Sequence, residues 1–216
     1  MVWLILKSSA MIRKLDETQL KDATHYLVEK DAGLKKIFQQ YGYPPLWDRP
    51  ATFASLVHII LEQQVSLASA RAAYQNLHDH LLGYISPDNF LTINDEKLRA
   101  IGFSRQKTGY TRGVANAIQT GALALDTLHQ KSDDAVKQAL MELKGIGHWT
   151  ADIYMLMCLQ RPDVLPCGDI ALYEAYRVLY QHPTRPQFAE FEKATAHWKP
   201  FRSVGARLLW HFYLSR

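Results

Sequence analysis

Cysteine is nearly missing from this 216-residue chain; Cys158 and Cys167 are the only two. Two thiols cannot build a disulfide scaffold or a four-cysteine metal site, and they point most simply to a reducing compartment. Long apolar runs are missing too. The opening residues 1–9, MVWLILKSS, are far too few to cross a bilayer. They have no basic stretch before them and no clear cleavage site, so an extended start packed on the body is expected, with no secretion and no membrane association. There is no HExxH motif, no clustered carboxylates and no phosphate-cradling glycine loop, which argues against a metal hydrolase or a P-loop kinase. No series of alternating strand-like runs and no low-complexity tract is found either.

Charge of one sign is also scarce overall. The formal net charge is +4, with 21% charged and 48% apolar residues, ordinary values for a soluble globular protein. Its distribution is less even. Residues 99–112 hold Arg99, Arg105, Lys107 and Arg112 with no acid, and residues 170–216 hold seven basic against three acidic side chains. Either imbalance fits a nucleic-acid partner or a merely solvated face.

What is present follows the helical period nearly throughout, so an all-α fold is expected. Residues 15–30 read as a first helix ending near Gly33. The stretch YGYPPLWDRP, 41–50, carries three prolines and reads as a connection. Helices are then expected over 52–61 and 67–82, broken around 63–66. Asn94 and Asp95 start a short helix stopped at Gly102, Ser104 caps the next to about Thr120, and Ser132 caps another. Residues 149–159 are apolar around most of the circumference, the mark of a helix buried between others. Residues 187–198 read as one helix. After Pro200 the last helix carries two apolar stripes, Val204/Leu208/His211 and Ala206/Trp210/Tyr213.

The sharpest local signal is LMELKGIGHWTAD, 140–152. Two helical patterns meet across Lys144-Gly145-Ile146-Gly147, leaving room only for a tight turn. The glycines allow positive φ and close approach of a partner, and Ile146 can plug the space between the helices. The second helix opens with unpaired N–H groups at its positive dipole end, able to receive a phosphate oxygen. The carbonyls of Met141, Leu143 and Ile146 point around the turn and could hold a monovalent cation. An ordinary helical hairpin with a glycine stop would read the same way.

Twenty residues after Trp149, in VLPCGDIALYEAY, comes Asp169. Preceded by Pro166 and Gly168 and followed by an amphipathic helix, it is a natural N-cap. Amides and a helix dipole that cap a carboxylate also favour its charged form. A fixed anionic carboxylate suits cleavage of an N-glycosidic bond, where the departing base leaves positive charge on the sugar. An alkylated purine is already cationic and needs no strong acid to leave. No lysine lies between Trp149 and Lys193, so the amine nucleophile of a lyase is not supplied there.

The hairpin followed at this distance by LPCGDIAL resembles the helix-hairpin-helix base-excision DNA glycosylases, and within them the DNA-3-methyladenine glycosylase II branch. LEQQVSLASA, IGFSRQKTGYTRGVA, LKGIGHWTAD, LPCGD and WKPFRSVGARLLW carry the resemblance in order over residues 53–210. It implies two helical lobes with the active-site cleft between them: 1–50 with 166–216 as one lobe, and 51–165, with the hairpin, as the other. It implies Asp169 as the catalytic aspartate. Trp149 stands where bifunctional relatives carry a lysine nucleophile and alkylbase-specific relatives an aromatic, which makes it a base-pocket residue, and Trp210 where an aromatic lines the same pocket. Ile153 and Ile170 occupy pocket positions that are aromatic in some relatives. Gln64, with Gln63 beside it, falls where a side chain enters the gap left by the flipped base.

The expected partner is therefore double-stranded DNA containing damaged bases, bound by a monomer. Phosphate contacts are expected from Gly145, Gly147, His148, Thr150 and Lys144 of the hairpin and from Arg105, Lys107 and Arg202. No cofactor is required, Na+ or K+ at the hairpin is expected with bound DNA, and no iron–sulfur cluster is expected. The resemblance places the protein in the cytoplasm or nucleoid of a bacterium or in a eukaryotic nucleus. Departures are Gln64, polar where members of this branch have leucine, and Gly168, where an acid would stand beside Asp169. A glycosylase for oxidised or deaminated bases, and a noncatalytic helical DNA-binding module with Asp169 only a cap, stay open.

Overall fold

Capping side chains set most of the helix starts. In the computed structural model, which describes residues 14–216, Asp16, Asp31, Thr52, Ser66, Ser86, Asn94, Ser104, Ser132 and Asp169 each accept a backbone N–H of the following turn. Each satisfies a donor the helix cannot, typically worth about 1 kcal/mol. The helices are α1 (Glu17–Lys30), α2 (Ala32–Tyr41), α3 (Phe53–Glu62), α4 (Leu67–His80), α5 (Pro87–Leu91) and α6 (Asp95–Ile101). They continue with α7 (Arg105–Gln119), α8 (Asp133–Met141), α9 (His148–Met157), α10 (Ile170–Leu179), α11 (Phe188–Ala194) and α12 (Arg202–Leu214). Tighter 3₁₀ turns occupy Leu125–Gln130 and Ala196–Trp198. No strand occurs among the described residues, and none of their helices is long and apolar enough to cross a membrane. The packing expected of residues 1–9 lies outside the described residues.

Two readings of the sequence are corrected. Gly33 does not end the first helix: Asp31 caps α2 and Gly33 sits inside it. A Cβ there would come within 2.6 Å of the Tyr180 ring, so this glycine serves close packing. Residues 187–198 are not one helix. The Thr195 hydroxyl donates back to the Phe191 carbonyl at 2.7 Å, and the chain passes from α11 into the 3₁₀ turn.

The chain forms two compact units. One runs to Asp48 and resumes over Gln160–Arg216; the other is Arg49–Leu159. In the first, α12 packs against α1, α2 and α10. All of 203–210 is buried, so both apolar stripes are enclosed along that stretch, whereas His211 and Tyr213 at their ends are not buried. Asp31 organises this unit from 6% exposure. Its carboxylate accepts the Tyr180 hydroxyl at 2.5 Å, the Trp198 indole N–H at 2.8 Å and the Gly33 and Leu34 amides, and lies 2.8 Å from His197 Nε2.

In the second unit, α3 packs on α4, α7 and α9, and α8 packs on α9. Residues 150–156 of α9 are all buried, as their encircling apolar pattern implies. Asp152 is among them, ion-paired with Lys137 at 2.7 Å, so its role is structural.

Candidate active site and hairpin

In the first unit the loop before α10 turns at Gly168, whose φ of +79° favours glycine. The Gly168 amide donates to the Tyr173 hydroxyl at 2.7 Å, tying the loop to the next turn of α10. Asp169 then caps α10, its Oδ1 accepting the Leu172 amide at 2.9 Å. The same oxygen accepts the Trp210 indole N–H at 3.2 Å. Capping and presentation are thus one arrangement: the carboxylate is 8% exposed and held by two donors from two helices. Trp210, 7% exposed, spends its N–H orienting Asp169, beyond the lining role read from the sequence.

Ile170 is 65% exposed at the first position of α10, so it faces solvent instead of walling a pocket within its own unit. Arg202 is also corrected. Its guanidinium holds Asp163 through Nε to Oδ1 at 2.8 Å and Nη2 to Oδ2 at 2.9 Å, with a third bond to the Asp163 carbonyl. An arginine so engaged is committed to its own fold and not to a phosphate. Sequence reasoning missed Trp47, whose ring meets Trp210 edge-on at 6.1 Å between centroids. Its only signal was a tryptophan among the prolines of a segment taken as a plain connection.

In the second unit the hairpin turns on Gly145 alone. Gly145 has φ +90°, and a Cβ there would collide with the Tyr110 ring. Gly147 is extended instead, with φ −94°, as the N-cap of α9. A Cβ on it would meet nothing within 4 Å. Having no side chain, it leaves the first N–H groups of α9 without a side-chain cap, and Lys144 and His148 stand exposed beside them. Ile146 is 4% exposed and fills the turn as expected. Trp149 is half-buried in the first turn of α9, whereas Ile153 is 2% exposed within the core of the unit.

Several expected DNA contacts face inward. Thr150 is buried, and its hydroxyl accepts the Gln63 amide at 2.9 Å. The Gln63 amide nitrogen also donates to the Gly145 carbonyl at 2.9 Å. Gln63 therefore ties the α3–α4 turn to the hairpin and does not enter a gap. Gln64, by contrast, is exposed, with φ +53°, at the tip of that turn. Lys107 donates to the Leu61 carbonyl at 2.7 Å, capping the end of α3, and burial pulls its pKa down. One of its three donors is thus committed to the fold, while Arg105 stands exposed at the start of α7. The Leu143 carbonyl accepts the Ile146 amide at 3.0 Å. A carbonyl has a second lone pair, so this bond is compatible with a cation held by Met141, Leu143 and Ile146.

Gln63→Ala strands the Gly145 carbonyl and the Thr150 hydroxyl together. It is expected to cost about 1–3 kcal/mol in urea unfolding; an unchanged midpoint would show that the tie carries no stability.

An all-α chain in which a glycine hairpin precedes, by some twenty residues, a capped and indole-bound aspartate defines a helix-hairpin-helix protein with a glycine- and proline-containing loop. The family model described as "HhH-GPD superfamily base excision DNA repair protein" matches residues 57–200. The chain belongs to this superfamily. It is 26% identical to the putative DNA-3-methyladenine glycosylase YfjP of Bacillus subtilis over 82% of its own length, spanning 64% of that relative. The DNA-3-methyladenine glycosidase structure from Bacillus halodurans is 32% identical over 85% of each chain, with TM-score 0.72. The 3-methyladenine DNA glycosylase of Schizosaccharomyces pombe in complex with abasic DNA shares the fold, with TM-score 0.81 and 24% identity over 88% of this chain and 95% of that one.

Proposed function

We propose that this protein is a monofunctional DNA glycosylase that hydrolyses the N-glycosidic bond of alkylated bases, of the 3-methyladenine and 7-methylguanine type, in duplex DNA. The observation that carries this reading is Asp169, nearly enclosed yet aimed by the Leu172 amide and the Trp210 indole. Relatives with glycosylase names along most of the chain support the same chemistry.

In this reading the damaged nucleotide leaves the stack, which costs a few kcal/mol and less where pairing is already weak. Gln64, at the exposed tip of the α3–α4 turn, occupies the vacated space. The uncapped amides of α9, with Lys144 and His148, hold phosphate, and Arg105 adds a further contact; such bonds position DNA without reading its sequence. A monovalent cation at the carbonyls of Met141, Leu143 and Ile146 would add positive charge beside that phosphate. At the sugar, the C1′–N bond breaks and its electron pair leaves with the cationic base, which departs neutral. Asp169 stabilises the positive charge that builds on the sugar and orients a water. The water oxygen bonds to C1′ as its proton passes to solvent.

The test is a panel of duplexes bearing 3-methyladenine, 7-methylguanine, 1,N6-ethenoadenine, hypoxanthine and 8-oxoguanine. Release of the methylated bases, leaving an unbroken abasic strand, is the expected result. Preferential release of 8-oxoguanine would move the protein to another lesion class, and no release at all would leave a DNA-binding module. Borohydride trapping of an enzyme–DNA adduct that disappears in Lys144→Ala would establish a lyase instead.

A further inference from the structure

We propose that the cleft formed by α10 and the loop 183–187 binds backbone phosphates of DNA. They belong to the strand that carries the damaged base, and Arg185 is their chief contact. The inference rests on the glycosylase reading, which brings the lesion to Asp169.

Three observations carry it. First, the chemistry of the cleft matches an oxyanion. It measures about 560 Å³, and its lining includes Tyr173 and Arg177 from α10 with Thr184, Arg185 and Gln187 from the loop. Their guanidinium, hydroxyl and carboxamide groups all carry donors, and no carboxylate lines the cleft. Two acids stand beside it, both engaged. Glu174 accepts Arg177 Nε at 3.0 Å and Nη2 at 2.7 Å, which fixes that guanidinium and leaves its Nη1 edge. Glu190 accepts the Gln187 backbone amide at 2.9 Å. The Arg177 hydrogen bond, with the charges of Arg177, Arg185 and Arg216, holds the Glu174 carboxyl below its ordinary range. Three guanidinium groups thus act on one carboxylate, and positive charge is left over. Second, Arg185 is exposed, and no hydrogen bond or ion pair engages it among the described residues. The loop that carries it is nevertheless anchored. Pro183 and Pro186 fix φ on either side of it. The His182 amide donates to the Arg177 carbonyl at 2.9 Å, and the His182 ring stacks on Tyr176 with centroids 5.3 Å apart. An anchored loop limits the freedom lost on binding. Third, the cleft adjoins the loop that presents Asp169: the Tyr173 hydroxyl accepts the amide of Gly168, the residue just before it, at 2.7 Å.

The helix sets the scale. Arg177 follows Asp169 by eight residues, about 12 Å along the axis of α10 at 1.5 Å per residue. At 3.4 Å per phosphate, a strand covers that distance in about three to four nucleotides. A strand whose sugar meets Asp169 therefore has phosphates within reach of the cleft. An acidic protein segment offers the same charge, but nothing brings it to the Asp169 loop, whereas the reaction itself brings DNA there. The cleft gives the first unit a phosphate contact of its own, one that positions the strand without reading its sequence. The contacts of the hairpin belong to the second unit.

The test is binding of the full chain to a duplex with a tetrahydrofuran abasic site, which has no base to release. Arg185→Ala is expected to weaken binding about three- to tenfold at low salt and to reduce the salt slope by about one. Arg185→Lys should keep most of both. Replacing single phosphates by neutral methylphosphonates then locates the contact. A replacement about three to four nucleotides from the abasic site, on the same strand, should weaken the wild type but not Arg185→Ala. Affinity and slope unchanged in Arg185→Ala overturn the inference, as does a methylphosphonate penalty that the variant shares at every position. If Arg185→Ala instead loses binding only to a polyglutamate peptide, the cleft serves an acidic protein segment, and the inference is likewise overturned. Base release from the lesion panel is measured separately, so the glycosylase reading and this one can fail independently.

Discussion

Asp169→Asn is expected to slow release of 7-methylguanine at least about a thousandfold, the scale on which a preorganised charge stabilises a transition state. Asparagine suits the experiment because it separates the two duties of this residue. Its carbonyl oxygen can still accept the Leu172 amide and the Trp210 indole, the two bonds Asp169 Oδ1 now accepts. Asparagine and aspartate also rank together as N-caps. The thermal midpoint and the affinity for an abasic duplex should therefore hold while single-turnover release collapses. Undiminished release would show that Asp169 is only a cap and would end the catalytic assignment. A collapse of release together with folding would instead point to the loop 164–169.

The second large effect concerns stability. Asp31→Asn is expected to cost about 2–3 kcal/mol at pH 7, because it exchanges charge-assisted bonds for neutral ones and turns an amide donor toward either His197 or the Trp198 N–H. Burial by itself would raise the Asp31 pKa; the hydrogen bonds from Tyr180, Trp198, the Leu34 amide and His197 outweigh it and hold the group below the ordinary carboxylate range. The folded pKa thus lies below the unfolded one, near 3.9. The stabilisation is complete above that unfolded value and is lost as pH falls through the folded one. In urea titrations from pH 7 to pH 3, the gap between wild type and Asp31→Asn should be widest near neutrality and narrow in acid. A gap that grows on acidification would contradict this account of the carboxylate.

Much of the architecture was legible because its causes are local. Asn94, Ser104 and Ser132 cap helices where their side chains predict. Gly145 turns the hairpin because left-handed backbone beside the Tyr110 ring admits no Cβ. Asp169 was visible as the residue between a Pro/Gly loop and an amphipathic helix, a position defined by its neighbours in sequence. The second helix of the chain escaped because Gly33 looks like a stop, when what it answers is Tyr180, 147 residues further on.

The phosphate contacts show the same division from the other side. Lys107 and Arg202 were chosen for their charge and their place near helix starts, yet the fold spends one on the Leu61 carbonyl and the other on Asp163. A long basic side chain reaches several ångströms, and sequence does not say which acceptor lies within that reach. Gln63 and Gln64 are adjacent and identical in kind, but one closes on the hairpin while the other sits exposed in left-handed backbone.

From its order of residues alone, this protein was set as an all-α chain with a tight glycine hairpin and a helix-capping aspartate after it, since capping, helical period and turn chemistry all act over a few residues. Tertiary structure alone decided which polar groups were left to act on a partner. It set Trp210 on Asp169 and bent Trp47 against Trp210, because hydrogen bonds and ring contacts between distant residues exist only once the helices that carry them have packed.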